Sequence, residues 1–151
     1  MAISKIVQDS INGGVAGSGP AFSAYLSSNQ SVSGSTYTKV AFDTEEFDTN
    51  NNFASNRFTP TVAGYYQINA GIVFATGVTY AQIVIYKNGT SYKTCYSQLS
   101  AGNYAQVISS LVYCNGTTDY IEIYGYIAAS TPRFNGGLDG TWFNGSMVRA
   151  A

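Results

Sequence analysis

Residues 55–72 read SNRFTPTVAGYYQINAGI, and the alternation that begins there leaves little choice of local structure. Tyr66, Ile68, Ala70, Ile72 and Phe74 share one parity, while Tyr65, Gln67, Asn69 and Gly71 share the other. A two-residue apolar period belongs to a half-buried strand. Pro60 has no N–H to give to a sheet ladder, and Gly64 permits a turn conformation that residues with side chains resist. The stretch therefore predicts a short strand, a Pro–Gly corner and a long strand.

The same pattern continues along the chain, and no convincing helix follows Pro20. Residues 22–25 and 37–42 are short apolar or alternating segments, the second with Val40 and Phe42 on one face. Ala81, Ile83 and Ile85 alternate with Tyr80, Gln82, Val84 and Tyr86, and Asn88-Gly89 then supplies a hairpin turn. Further strands are expected at about 91–98, 104–113 and 121–127, with Asn115-Gly116 as a turn. A Gly-rich loop at 128–140 leads to a closing strand at 141–149. Many strands separated by turn chemistry predict an antiparallel sandwich. In a lone sandwich one parity of each strand should be plainly polar. The sets Tyr80, Val84, Tyr86 and Tyr120, Tyr124, Tyr126 are not, which makes them candidates for a second buried face between subunits. The plainer explanation is that the tyrosine hydroxyl makes exposure acceptable.

At 151 residues the chain suits one domain with a real core. Ile3, Ile6, Val7 and Ile11 stand at near-helical spacing ahead of the joint GGVAGSG, so residues 1–19 are read as an arm and joint and 20–151 as the domain. The arm is either a frayed terminus or an anchor that orders against a partner. Only 10% of residues are charged and the seven Lys and Arg are scattered, which offers nucleic acid no cluster to hold its phosphates. No apolar run is long enough to span a bilayer, and a secretory signal pattern is missing, so neither membrane nor export is expected. Cys95 and Cys114 are read as buried free thiols, with pairing as the alternative. There is no His, hence no zinc site built on the two cysteines.

Several ordered segments carry a family resemblance. Phe22-Ser23-Ala24, Lys39-Val40 with Phe42, Arg57-Phe58-Thr59, Val62-Ala63-Gly64 and Tyr65-Tyr66 resemble the globular head of the complement C1q/tumour necrosis factor superfamily. Tyr86-Lys87-Asn88-Gly89 is similar to its R-N-G hairpin. Leu111 to Ile123 is similar to its L-x-x-G-D-x-V-x-L segment, and Phe143-Asn144-Gly145 with Met147-Val148 to its closing strand. The resemblance implies a ten-stranded jelly roll that assembles as a homotrimer with first and last strands near the centre. Animal members usually carry a signal peptide and a collagen stalk, absent here, and Asn56 replaces the usual Gly before Arg57-Phe58. The short, Ser/Thr/Asn-rich style looks like the versions carried in bacteriophage structural genes.

Catalysis has little to work with: no His, no nucleophile elbow and no phosphate loop. No cofactor is expected. Asp43, Glu45, Glu46 and Asp48 form an acidic stretch that either binds calcium or is simply a solvated loop. Asn29, Asn88, Asn115 and Asn144 formally match glycosylation acceptors, although the Asn-Gly pairs are better explained as turn formers. Trp142 could stack on a sugar, against the plainer role of packing. The expected role is a non-enzymatic trimeric knob on a virion surface, assembled in the host cytoplasm. It would decorate or cement a phage capsid, with the arm on the major capsid protein. The alternative is a tail-fibre tip that recognises host glycan.

Overall fold

The computed structural model describes residues 19–99 and 104–151, and every regular element among them is a strand. In chain order these are β1 (Ala21–Tyr25), β2 (Gln30–Ser31), β3 (Thr38–Lys39), β4 (Thr44–Asp48), β5 (Phe53–Ala54), β6 (Arg57–Phe58) and β7 (Gly64–Phe74). There follow β8 (Tyr80–Lys87), β9 (Thr90–Gln98), β10 (Tyr104–Cys114), β11 (Ile121–Ala128), β12 (Arg133–Asn135) and β13 (Trp142–Ala150). The arm residues Ile3, Ile6, Val7 and Ile11 lie outside the described residues.

Two antiparallel sheets form the sandwich. A seven-stranded sheet runs β2-β12-β7-β13-β1-β4, with β10 on β7; a six-stranded sheet runs β5-β6-β11-β8-β9, with β3 on β11. First and last strands are neighbours, since Ala21 to Tyr25 pair with Ser146 to Trp142. The predicted alternation of β7 holds: Tyr66, Ile68, Ala70, Ile72 and Phe74 are fully buried between the sheets. Ala81, Ile83, Ile85, Ile121, Ile123 and Ile127 face them from the other sheet. At one end Phe22 stacks on Phe58 with ring centroids 4.3 Å apart and meets the edge of Phe143 at 4.7 Å. Such offset and edge-on pairs add to the area that the rings already bury.

Local chemistry explains the turns. Asn88 and Gly89 both take positive φ, 53° and 75°, the pair required by a two-residue hairpin whose twist matches its strands. The β5–β6 hairpin uses Ser55 and Asn56 at 53° and 59°. Asparagine tolerates that left-handed conformation, so Asn56 can stand where the resembling family has glycine.

Three local expectations are corrected. Gly64 is not a turn residue but the first residue of β7; a Cβ there would lie 2.5 Å from the Arg149 carbonyl oxygen, so closeness of backbones demands glycine. The acidic stretch is not a loop: Thr44–Asp48 is an edge strand paired with β1. Of the strand expected at 37–42, only Thr38–Lys39 pairs regularly. Beyond it the Gln30 side chain serves the backbone, donating to the Lys39 carbonyl and accepting from the Ala41 N–H, both at 2.9 Å.

Candidate functional site

Each sheet turns one face outward, and the two faces treat their apolar residues differently. On the six-stranded sheet, Tyr80, Val84 and Tyr86 of β8 stand beside Tyr120, Tyr124 and Tyr126 at and just before β11. Val84 is 1% exposed within the single chain. Tyr86 stacks on Tyr124 at 4.0 Å, Tyr80 meets Tyr126 edge-on at 5.7 Å, and the Arg57 guanidinium sits 3.7 Å above the Tyr120 ring. Of the six residues expected at a subunit interface, Val84 is thus buried and the five tyrosines are half-buried within the single chain.

Beside them Glu122, 3% exposed, accepts from Lys39 Nζ at 2.7 Å and from Arg57 at 2.9 Å. Burial pushes its carboxyl up, but the two cationic hydrogen bonds outweigh burial and hold it below the usual carboxylate range. Asp119 behaves alike: burial raises it, and bonds from Asn88 and Lys87 bring it below its ordinary value. These are ties between strands and turns, with both carboxylates bonded to partners in the chain.

The outward face of the seven-stranded sheet is built in rows by its register. Tyr25, Trp142, Gly71 and Val107 form one row across β1, β13, β7 and β10. Ser23, Asn144, Asn69 and Ser109 form the next, and Ala21, Ser146, Gln67 and Leu111 the third. The Trp142 indole lies against Gly71, where a Cβ would stand 2.7 Å from Nε1. The middle row is a hydrogen-bonded relay. Gln67 Nε2 donates to Ser109 Oγ at 2.8 Å, Ser109 Oγ to Asn69 Oδ1 at 2.8 Å, and Asn69 Nδ2 to Asn144 Oδ1 at 3.0 Å. Beyond it Tyr65, Leu111, Tyr113, Val148, Arg149 and Ala150 line an open hollow of about 690 Å³. No sequence reading singled out this hollow, because β7 and β10 look half polar on that parity.

The remaining candidates have structural partners. Asp43 accepts from the Ser27 backbone and hydroxyl at 2.7 Å, and those bonds hold its carboxyl below the usual carboxylate range. Glu46 accepts from Ser23 Oγ at 2.6 Å, Asp48 accepts from the Phe53 N–H at 2.6 Å, and Glu45 lies exposed on β4. Among the described residues no three acidic, Cys or His groups converge on a point that could hold a metal. Asn88 and Asn115 accept backbone N–H groups in their turns, Asn144 joins the relay, and Asn29 accepts from Gly136. Cys95 and Cys114 are both free, and burial pushes the Cys114 thiol up to about 11.

No protein-family model matches the sequence, and curated proteins include no relative detectable by sequence. Solved structures, in contrast, superpose along most of the chain. Murine APRIL at pH 8.0 matches with a TM-score of 0.67 at 12% identity, over 85% of this chain and 98% of that one. The globular domain of zebrafish complement 1qA matches with a TM-score of 0.62 at 17% identity, over 88% and 99%. Eiger TNF from S. frugiperda matches at 0.59 and 8% identity, over 87% and 95%. The fold is the C1q/TNF-like jelly roll. Within this C1q/TNF-like frame, three of the segments that carried the resemblance form strands in chain order. Phe22 to Ala24 lies on β1, Arg57-Phe58 forms β6, and Phe143 to Val148 lies on β13.

Proposed function

We propose that the protein is a non-enzymatic structural module that assembles as a homotrimer through the outward face of the seven-stranded sheet. On this reading it is a knob on a phage capsid, fastened to the major capsid protein by its N-terminal arm. One observation carries the assembly: Tyr65, Leu111, Tyr113 and Val148 stay 41–52% exposed together around the hollow, and Val107, 57% exposed, lies on the same face. An apolar cluster of this kind on a single chain marks a contact surface. Neighbouring first and last strands, β1 and β13, run through that face, as a trimer packed about them requires. The lack of any His, and carboxylates already committed to structural bonds, favour a role without catalysis. The aliphatics of the arm and a coat of neutral polar residues support the virion setting.

Sedimentation equilibrium of the full chain tests the assembly: a trimer is expected, and a lone protomer at micromolar concentration overturns it. Removing residues 1–12 tests the arm. The trimer persists and incorporation into particles is lost; retained incorporation overturns the anchoring role. As for a glycan-binding tip, Trp142 is poorly placed to serve it, because its indole lies on the assembly face.

A further inference from the structure

The opposite sheet carries a cluster that neither the core nor the assembly requires. Tyr126, Gln82 and Tyr96 form one row across β11, β8 and β9. Tyr37 Oη donates to Gln82 Oε1 at 2.7 Å, and Gln82 Nε2 donates to Tyr80 Oη at 2.7 Å. Ring centroids lie 5.1 Å apart for Tyr37 and Tyr126, 5.7 Å for Tyr126 and Tyr80, and 6.4 Å for Tyr80 and Tyr96. Four rings and one amide are therefore held in fixed relation before any ligand arrives, which lowers the entropy lost on binding.

Three features set the chemistry of an occupant. First, ring surface remains free: Tyr96 is 68% and Tyr37 45% exposed. Second, hydrogen-bonding capacity remains free in the middle. The Gln82 amide has spent one of its two hydrogens and one of its two oxygen lone pairs, and the Tyr80 hydroxyl hydrogen is uncommitted. Third, the cluster is neutral. Every contact within it joins uncharged groups, while Lys39 and Arg57 are both bonded to Glu122 elsewhere on the sheet. An anionic ligand would find no cation here. An extended peptide added to this sheet would lie along the outer edge of β9 and not over the Gln82 amide, because β8 is paired on both sides, with β11 and β9.

Exposed aromatic plates flanking neutral donors and acceptors complement a pyranose, whose C–H face stacks on a ring while its hydroxyls exchange hydrogen bonds. We propose that this cluster is a binding subsite for a neutral oligosaccharide, with Tyr37 and Tyr96 as stacking rings and Gln82 reading sugar hydroxyls. The site is independent of the assembly reading, although a trimer would present three copies and so raise avidity.

The test titrates the full chain with short neutral oligosaccharides of glucose, mannose and galactose, and with a sialylated oligosaccharide as the charged probe. At least one neutral probe binds, and Tyr96→Ala and Gln82→Leu each weaken it about tenfold or more. Tyr92→Ala, on an exposed ring of the same strand, leaves it unchanged. Three results would overturn the proposal: no neutral probe binds, only the sialylated probe binds, or neutral binding survives Tyr96→Ala. Should Gln82→Leu fail to fold, Tyr96→Ala decides alone, since that ring is mostly solvated already. Sedimentation of each sample keeps the readings apart, because a monomer that still binds sugar refutes the assembly and leaves the subsite standing.

Discussion

Leu111→Glu is the sharpest perturbation of the assembly face. Leu111 stands 52% exposed at the end of the Ala21–Ser146–Gln67 row, on the rim of the hollow. Complete burial of a leucine is worth about 2 kcal/mol, so about 1 kcal/mol remains to be gained on assembly, or about 3 kcal/mol over three copies. Truncation by Leu111→Ala forfeits roughly that sum, on the order of a hundredfold in the assembly constant. Leu111→Glu forfeits it as well and must desolvate three carboxylates on assembly, at several kcal/mol each, a cost that Arg149 of the same hollow offsets only in part. In the lone chain the new side chain is solvated, so circular dichroism stays native while sedimentation velocity shows protomers at micromolar concentration. Tyr124→Ser, in the middle of the tyrosine face, is the counterpart and leaves the trimer intact. If Leu111→Glu sediments with the wild type while Tyr124→Ser dissociates, the face has been misassigned and the tyrosines are the interface after all.

Glu122→Gln leaves two cations without their shared carboxylate. Since Lys39 and Arg57 are partly solvated, the loss is about 2 kcal/mol, read by denaturant unfolding; an unchanged midpoint refutes the strand tie. Because Glu122 and Asp119 titrate below their ordinary values when folded, their stabilisation is complete above about pH 4.5 and is lost as pH falls through the lowered values. Wild type therefore weakens on acidification, and Glu122→Gln flattens that slope in a series of melts between pH 3 and 6 (about the range of the carboxylates). Cys114, buried with its thiol at about 11, does not react with a thiol reagent near neutral pH until the chain unfolds; prompt native labelling at Cys114 refutes its placement.

Where strands alternate or are bounded by Asn-Gly, the sequence was readable: β7, β8, β10 and β11 lie close to where period and turns put them. β4 was not, because an edge strand with Glu45, Glu46 and Phe47 exposed has no buried parity to display. Its pairing comes from β1, which no local window contains. Gly64 misled for the opposite reason: a strand glycine and a turn glycine look alike until Arg149, far along the chain, is brought against it. The surplus of tyrosine was legible as a count and not as a geometry. Rings on β8 and β11 meet only through their register, so a parity that looked unpaid in the sequence is closed by stacking such as that of Tyr86 on Tyr124.

The apolar face that remains open is divided by the polar row, and that division bears on how copies meet. Buried polar groups are costly only when unpaired, and Gln67, Ser109, Asn69 and Asn144 already bond one another within the chain. A neighbouring copy that covers the row has few groups left to answer, chiefly the Asn144 amide hydrogens and Gln67 Oε1, while its own apolar groups meet Val107 on one side and Leu111 with Tyr113 on the other. Sliding one copy along the face by a row would set Leu111 against amides and hydroxyls, losing its burial and gaining nothing for them. A continuous apolar face would bind more strongly and tolerate many registers. A face split by an internally bonded relay gives up some burial and, in the proposed trimer, admits one.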